Sequence, residues 1–307
     1  MSQSFISTLT QEKEDDIIKK YQEGLPTVAI GKLYGFGRKV VARWLKSKGI
    51  KMRKNGRGGG LKEDYFEIID TEEKAYFIGF LLADGCIYSP KNQSLSLNLE
   101  IGQKDRYILE KLKSELGMVD KKTCIRILKN TCFIRFNSNK LCSDLEKSGI
   151  TPRKTFTAKF PNFDQIPKYL FHHFLRGLFD GDGCISVSVR GKIPRKYFAF
   201  GICGTLDICL GIENFFAQFL PEETSKKPYL DNNIYTIAYN KLASLKHIYN
   251  FLYKDATIFL TRKEEKFRMV FETVMKNNPE GVNSILPIDF PVFKKLRDLD
   301  LNQESSC

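Results

Sequence analysis

The sequence predicts an α+β protein built of two related halves behind a small all-helical unit. Three observations predict it. FIGFLLADG at residues 77–85 returns as LRGLFDGDG at residues 175–183. Behind the first copy, SLSLNLEI at residues 94–101 alternates strictly between apolar and polar, the period of a half-buried antiparallel strand. Ahead of both copies, residues 10–54 read as three short helices.

Each copy of the repeat carries a glycine (Gly79, Gly177), a second small residue one helical turn later (Ala83, Gly181), and then Asp-Gly followed by Cys-Ile. Small residues at i and i+4 leave a smooth stripe along which another backbone can approach closely. Gly79, Ala83, Gly177 and Gly181 are therefore expected at an interface between the two helices. Each helix then finishes in an aspartate, Asp84 or Asp182, with glycine in the position that stops a helix. A carboxylate there faces the negative end of the helix dipole, a cost of up to about 1 kcal/mol, so stability alone does not place it twice. Packed side by side, the helices bring two acids to one edge, an arrangement that suits Mg²⁺ with a substrate phosphate. Asp-Gly is a common turn dipeptide, but two copies in register weigh against that plainer reading.

In the first segment, residues 12–23 place Ile17, Ile18 and Tyr21 at helical spacing, and Gly24-Leu25-Pro26 ends the run. Thr27 opens a second helix through residue 34, and Gly35-Phe36-Gly37 turns into a third at residues 38–48. With Gly31 as the small contact residue and Val41 and Leu45 facing inward, the arrangement resembles a helix-turn-helix. From Arg38 through Lys62 no acidic residue occurs. Arg38, Lys39, Arg43 and Lys46 can thus meet phosphates or base edges in a major groove. A merely solvated helix would not need to exclude every carboxylate over that length.

The rest of the chain is read as two copies of α-β-β-α-β-β-α. In the first half the expected helices are residues 104–116 and 140–148, with strands at 123–128 and 132–136 besides 94–101. In the second, strands are expected at 185–189, 197–202 and near 234–239, and helices at 207–219 and 241–252. Asn139-Lys140-Leu141 is echoed by Asn240-Lys241-Leu242, and Pro152-Arg153-Lys154 by Thr261-Arg262-Lys263. The expected divisions are a helical domain at 1–54, a flexible basic linker at 55–64, halves at 65–160 and 161–278, and a tail at 279–307. Residues 155–167 read as a connector between the halves. The tail has a short helical pattern at 292–299, to which no function attaches.

Composition narrows the function. The 307 residues suffice for two or three compact units, and 42% hydrophobic content fits a globular protein. A formal charge of +13 and a pI near 9.2 call for a polyanionic partner, nucleic acid ahead of membrane. No apolar run reaches the ~18 residues of a membrane span, and the first residues are acidic where a leader would be basic, so a cytoplasmic protein is expected. The eight cysteines form no C-x-x-C pair, and none of the three histidines stands at metal-ligand spacing to a cysteine. Zinc is not expected, and the cysteines are expected to be buried and reduced. His172 and His173 read as a helix-start surface pair without a partner.

With these residues in place, the chain resembles the LAGLIDADG family of homing endonucleases. FIGFLLADG and LRGLFDGDG stand where that family has its two signature helices, and GITPRKTFTAKFP at residues 149–161 resembles the segment that precedes the second. The resemblance covers residues 66–277 and leaves the helix-turn-helix outside. It implies two pseudo-symmetric αββαββα halves whose four-stranded sheets form a β-saddle on DNA. It also implies that Asp84 and Asp182 bind a divalent metal, Mg²⁺ with Mn²⁺ or Ca²⁺ as substitutes, beside the scissile phosphate. Asp180 holds the motif's other acidic position, where the first copy has Leu82. Lys154 and Lys263 match the basic residues that relieve the leaving group or activate water. Gln103 lies near the position of a water-orienting residue, with Gly204 or Thr205 the nearest equivalents in the second half. Ser96, Asn98, Glu100, Arg126, Arg135, Ser186, Ser188 and Arg190 would read the site from the strands. The implied activity is that of a monomeric, site-specific endonuclease cutting both DNA strands across the minor groove. The alternatives are a catalytically silent DNA-binding regulator and a maturase acting on its own intron RNA.

Overall fold

The computed structural model describes residues 9–23, 25–52, 60–89, 91, 93–118, 125–190, 195–218, 220 and 227–277. Two compact units divide the chain, Met1–Gly59 and Gly60–Cys307.

The first unit consists of α1 (Gln11–Gln22), α2 (Thr27–Tyr34) and α3 (Arg38–Ser47). Helix α1 opens on Glu12 and Glu14 and closes on Lys19 and Lys20, the charge order its dipole favours. Ile17, Tyr21, Ile30, Val41, Trp44 and Leu45 form the core. Gly35 ends α2 with φ +76°, a left-handed position that favours glycine. A Cβ on Gly31 would lie 2.3 Å from the Phe36 carbonyl oxygen, so the turn into α3 rests directly on α2.

The second unit repeats one pattern twice. The first half runs α4 (Glu72–Asp84), β1 (Gly85–Tyr88), β2 (Ser96–Gly102), α5 (Arg106–Glu115), β3 (Ile125–Ile127), β4 (Thr131–Asn137) and α6 (Asn139–Lys147). The second runs α7 (Phe171–Asp182), β5 (Gly183–Arg190), β6 (Arg195–Gly204), α8 (Leu206–Phe216), β7 (Tyr229–Asp231), β8 (Ile234–Tyr239) and α9 (Leu242–Tyr253), and α10 (Thr261–Asn277) follows it. Both antiparallel sheets have the same order, β1-β2-β4-β3 and β5-β6-β8-β7. The αββαββα halves expected from the sequence are the halves observed. The pattern calls for strands at β1 and β7, but the sequence marks no range for either, nor for helix α10. Four residues, GCIY, are too short for alternation to reveal a strand, and α10 follows its turn without a break in polarity that marks it.

Alternation sets the sheet faces. Leu97, Leu99 and Ile101 of β2 point into the core with Ile108, Leu109 and Leu112 of α5 and Leu141 and Leu145 of α6. In the second half an aromatic stack fills the same place, with Phe179 on Phe200 at 4.7 Å and Phe200 on Phe267 at 5.8 Å. Helix α4 is buried from Ala75 to Leu82, and α7 at Phe171 and from His173 to Asp180. Helices buried on nearly every side belong at the centre of a core, and these two run side by side there.

The connector between the halves is packed rather than loose. Phe160 sits 5.5 Å from Phe171 and 6.0 Å from Phe174, and Gly211 leaves room for its ring, which a Cβ would meet at 2.1 Å. Linker residues 55–59, Thr123 and Cys124 of an expected strand, the Arg190 side chain and the 292–299 pattern lie outside the described residues. Among the described residues no helix is long and apolar enough to cross a membrane.

Candidate active site

The site begins at the contact between α4 and α7. A Cβ on Gly79 would lie 2.0 Å from the Phe174 carbonyl oxygen, and one on Gly177 the same distance from that of Tyr76. Only glycine admits backbones so close. One turn on, a Cβ on Gly181 would meet the Ala83 Cβ at 2.1 Å and would lie 3.5 Å from Asp84 Oδ2. The Asp84 carboxylate therefore rests against the residue that precedes Asp182.

Both helices end at these aspartates, but not by a left-handed glycine. Gly85 and Gly183 are extended, with φ −73° and −91°. Close approach explains them instead: a Cβ would lie 2.6 Å from the Leu81 oxygen in one copy, and 2.2 Å from a Phe179 ring carbon in the other. The chain turns at once into β1 and β5. Cys86 and Cys184 then face outward and are exposed, against the expectation of burial, while Ile87 and Ile185 take the inward positions.

Asp84 and Asp182 reach solvent at their tips, yet the crowded helix ends strip water from much of their surroundings. That loss of hydration raises both carboxyl pKa values, and the neighbouring Asp84 helps push Asp182 up to about 6; Lys154 and Lys263 oppose the rise at both acids. The two lysines are buried behind the acids. Lys154 donates to the Ala83 carbonyl at 2.7 Å. Lys263 donates to the carbonyls of Phe179 (2.7 Å), Gly181 (3.1 Å) and Gly183 (2.6 Å). Each ammonium thus caps the C-terminal carbonyls of its own half's central helix, a favourable place for a cation. Burial lowers both pKa values, that of Lys263 to about 8.

Each lysine-bearing segment is braced by the opposite half. The β2–α5 corner of the first half supplies Asp105, which accepts from Arg262 at 3.0 and 3.1 Å, and the Tyr107 hydroxyl, which accepts from the Thr261 amide at 2.7 Å. Both hold the start of α10, beside Lys263. The β6–α8 corner of the second half supplies Thr205, which donates to the Ala158 carbonyl, and Asp207, which accepts from the Phe160 amide, both at 2.7 Å. Those hold the segment after the Lys154–Phe156 turn. Asp180 adds a third brace: its Oδ2 accepts from Tyr76 Oη (2.9 Å) and the Leu260 amide (2.7 Å), while burial lifts its carboxyl to about 6. Nothing in local sequence signals Asp105, Tyr107 or Asp207, because their partners are distant in the chain.

The sequence-predicted contact residues divide. Arg38, Lys39, Arg43 and Lys46 are exposed on α3. On the first sheet Glu100, Arg126 and Arg135 are exposed and Asn98 half-buried; Arg135 donates to Asn98 at 2.6 Å and Thr131 to Glu100 at 2.7 Å. Ser96 is a correction: it is 3% exposed, because this short side chain pairs between the larger Tyr88 and Asn137. Ser186 is exposed and Ser188 half-buried. Gln103 is exposed at the start of the turn into α5. Of its two possible equivalents, Thr205 is occupied, since it also caps α8 by accepting from the Ile208 amide.

The histidine pair is a second correction. His173 is buried and His172 half-buried, and His172 Nε2 meets Asp255 at 3.2 Å. Arg176, fully buried in α7, donates to the Ile258 and Leu252 carbonyls and to Glu72. Arg176 is not among the sequence-predicted site residues; an arginine inside the largely apolar second repeat is the mark that could have pointed to that network.

Two αββαββα halves joined through glycine-striped helices, with an acid from each at a common edge, define a pseudo-symmetric α+β protein carrying one composite site. Solved structures similar to this chain include LAGLIDADG meganucleases. I-AabMI bound to uncleaved DNA is 18% identical, with 68% of this chain and 95% of that one covered and a TM-score of 0.47. I-CpaMI bound to uncleaved DNA is 15% identical, covering 70% and 97% at 0.48, and I-SmaMI bound to cleaved DNA is 15% identical, covering 71% and 95% at 0.48. No protein-family model and no curated protein matches the chain.

Proposed function

We propose that the chain is a divalent-metal-dependent endonuclease acting on double-stranded DNA at a specific site. The observation that carries this reading is the convergence of Asp84 and Asp182 on one edge with a buried lysine behind each. The donor set fits a hard cation: two carboxylates whose mutual repulsion a divalent ion would relieve. Asp84 and Asp182 would hold Mg²⁺, with Mn²⁺ or Ca²⁺ as substitutes, and the bound ion would neutralise charge on the phosphoryl oxygens.

The chain's own groups supply the rest. Lys154 uses one ammonium proton on Ala83, which leaves two for a leaving oxygen or a water. Lys263 places all three on backbone carbonyls, so its part is to fix the end of α7 and add positive charge. Gln103, exposed at the start of the turn into α5, would orient water. Asn98, Glu100, Arg126, Arg135, Ser186 and Ser188 face outward on the sheets to read base edges and phosphates, and Arg38, Lys39, Arg43 and Lys46 add contacts from the first unit. One chain holds both acids, so a monomer suffices.

The test is a plasmid carrying the DNA that flanks the chain's own coding sequence, joined without it. Incubation with Mg²⁺ should give a linear product, and EDTA should prevent it. Tight binding to that DNA with no strand cut under Mg²⁺ or Mn²⁺ would overturn the nuclease in favour of a silent regulator.

A further inference from the structure

At the opposite end of α7 from the carboxylates, His172 and His173 meet Asp255, 83 positions beyond the first histidine. His172 Nε2 lies 3.2 and 3.3 Å from the two Asp255 oxygens, and the imidazole centroids are 3.7 Å apart. One ring nitrogen from each histidine and one Asp255 oxygen all lie within 4.8 Å of one another. His173 is 6% exposed, and its enclosed Nδ1 has no hydrogen-bond partner. The nearest acid to it, Glu72 Oε1 at 3.9 Å, is already engaged by Arg176 and by the Thr257 and Ile258 amides. Hydrogen bonding among these groups leaves a buried nitrogen unsatisfied, which is uncommon in a core. A cation shared by one nitrogen of each histidine and an Asp255 oxygen would engage all three side chains at once.

We propose that His172, His173 and Asp255 bind one divalent transition-metal ion, Zn²⁺ by donor type, which ties the start of α7 to the turn after α9. Two imidazoles and one carboxylate form a borderline-soft donor set that suits Zn²⁺, Co²⁺ or Ni²⁺, whereas Mg²⁺ prefers oxygen throughout. Tetrahedral Zn²⁺ sets neighbouring donors about 3.4 Å apart. The His172–Asp255 pair already has that spacing, and the His173 nitrogen lies within 4.8 Å of both. Water would complete the coordination. The site is separate from the acidic one, because ten residues of helix place His172 about 15 Å from Asp182. Its consequence reaches that site along the chain. Beyond the tied turn, Thr257 and Ile258 contact Glu72, Leu260 contacts Asp180, and α10 then carries Lys263.

The experiment uses the full, untagged chain stripped of metal by EDTA, then exchanged into chelator-free buffer. An Asp84→Asn, Asp182→Asn double variant removes the other carboxylate site. This variant should still bind one equivalent of Co²⁺ with visible ligand-field absorption, and saturating Zn²⁺ should raise its Tm by roughly 5 °C. MgCl₂ should not displace the ion. In the same background His172→Gln and Asp255→Ala should each lose the equivalent and the shift. Asp255 is well exposed, so its variant keeps the test independent of folding. Absence of a bound equivalent, or binding unchanged by both substitutions, would overturn the proposal whatever the outcome of DNA cleavage.

Discussion

Asp84 and Asp182 are charges held where a helix dipole disfavours them, and two lysines on the same carbonyls offset that cost. Replacing either acid by asparagine should remove Mg²⁺-dependent cutting by about 10³-fold or more while DNA affinity, read by gel shift, changes little. The acidity of Asp182 sets a pH limit. Its carboxyl is raised to about 6 by burial and by Asp84, so the carboxylate form that the proposed metal site needs is present above that pH and lost as pH falls through it. Single-turnover cleavage should fall about tenfold per pH unit below 6. The lysines should separate. Lys263→Met removes an ammonium shared by the carbonyls of Phe179 and Gly181 in α7 and of Gly183 at the start of β5, and should lower stability by about 2–4 kcal/mol in urea unfolding. Lys154→Met frees one, and should slow cleavage with a smaller loss of stability. That the two acids meet was legible in the sequence from their repetition; the difference between the lysines was not, because their donor counts follow from how each segment lies against the helix ends.

At the scale of elements, the α4–α7 pair depends on bare backbone. A methyl on Gly177 would stand 2.0 Å from the Tyr76 oxygen, and helix backbone cannot yield as a side chain can. Gly177→Ala should therefore cost about 1–3 kcal/mol or more, seen as a lower urea midpoint, whereas Gly37→Ala, whose Cβ would meet nothing nearer than 3.9 Å, should cost far less. The stripe that forms this contact could be read from spacing alone. The extended conformation of Gly85 and Gly183 could not, because Asp-Gly after a helix ordinarily signals a left-handed stop, and here the strand begins without one. Ser96 escaped for a related reason: alternation gives the face of a strand, but burial on that face depends on the neighbours that register supplies.

At the scale of the molecule, a charge of +13 is spread over two units, and the first carries four exposed cations on α3. Deleting residues 1–59 should weaken DNA binding and flatten its salt dependence by about 0.9 in log–log slope for each phosphate that is no longer neutralised. Affinity and slope unchanged by the deletion would assign that unit another purpose.

The sequence by itself determined the two halves, their order of helices and strands, and the pairing of the acids, since each rests on periodicity or repetition that local chemistry writes into the chain. Only the tertiary structure decided how the halves brace one another: Asp105 and Tyr107 on the base of α10, Thr205 and Asp207 on the segment behind Lys154. Those bonds join residues tens of positions apart, so no local pattern marks them. They exist because packing α4 against α7 carries each β–α corner onto the opposite half.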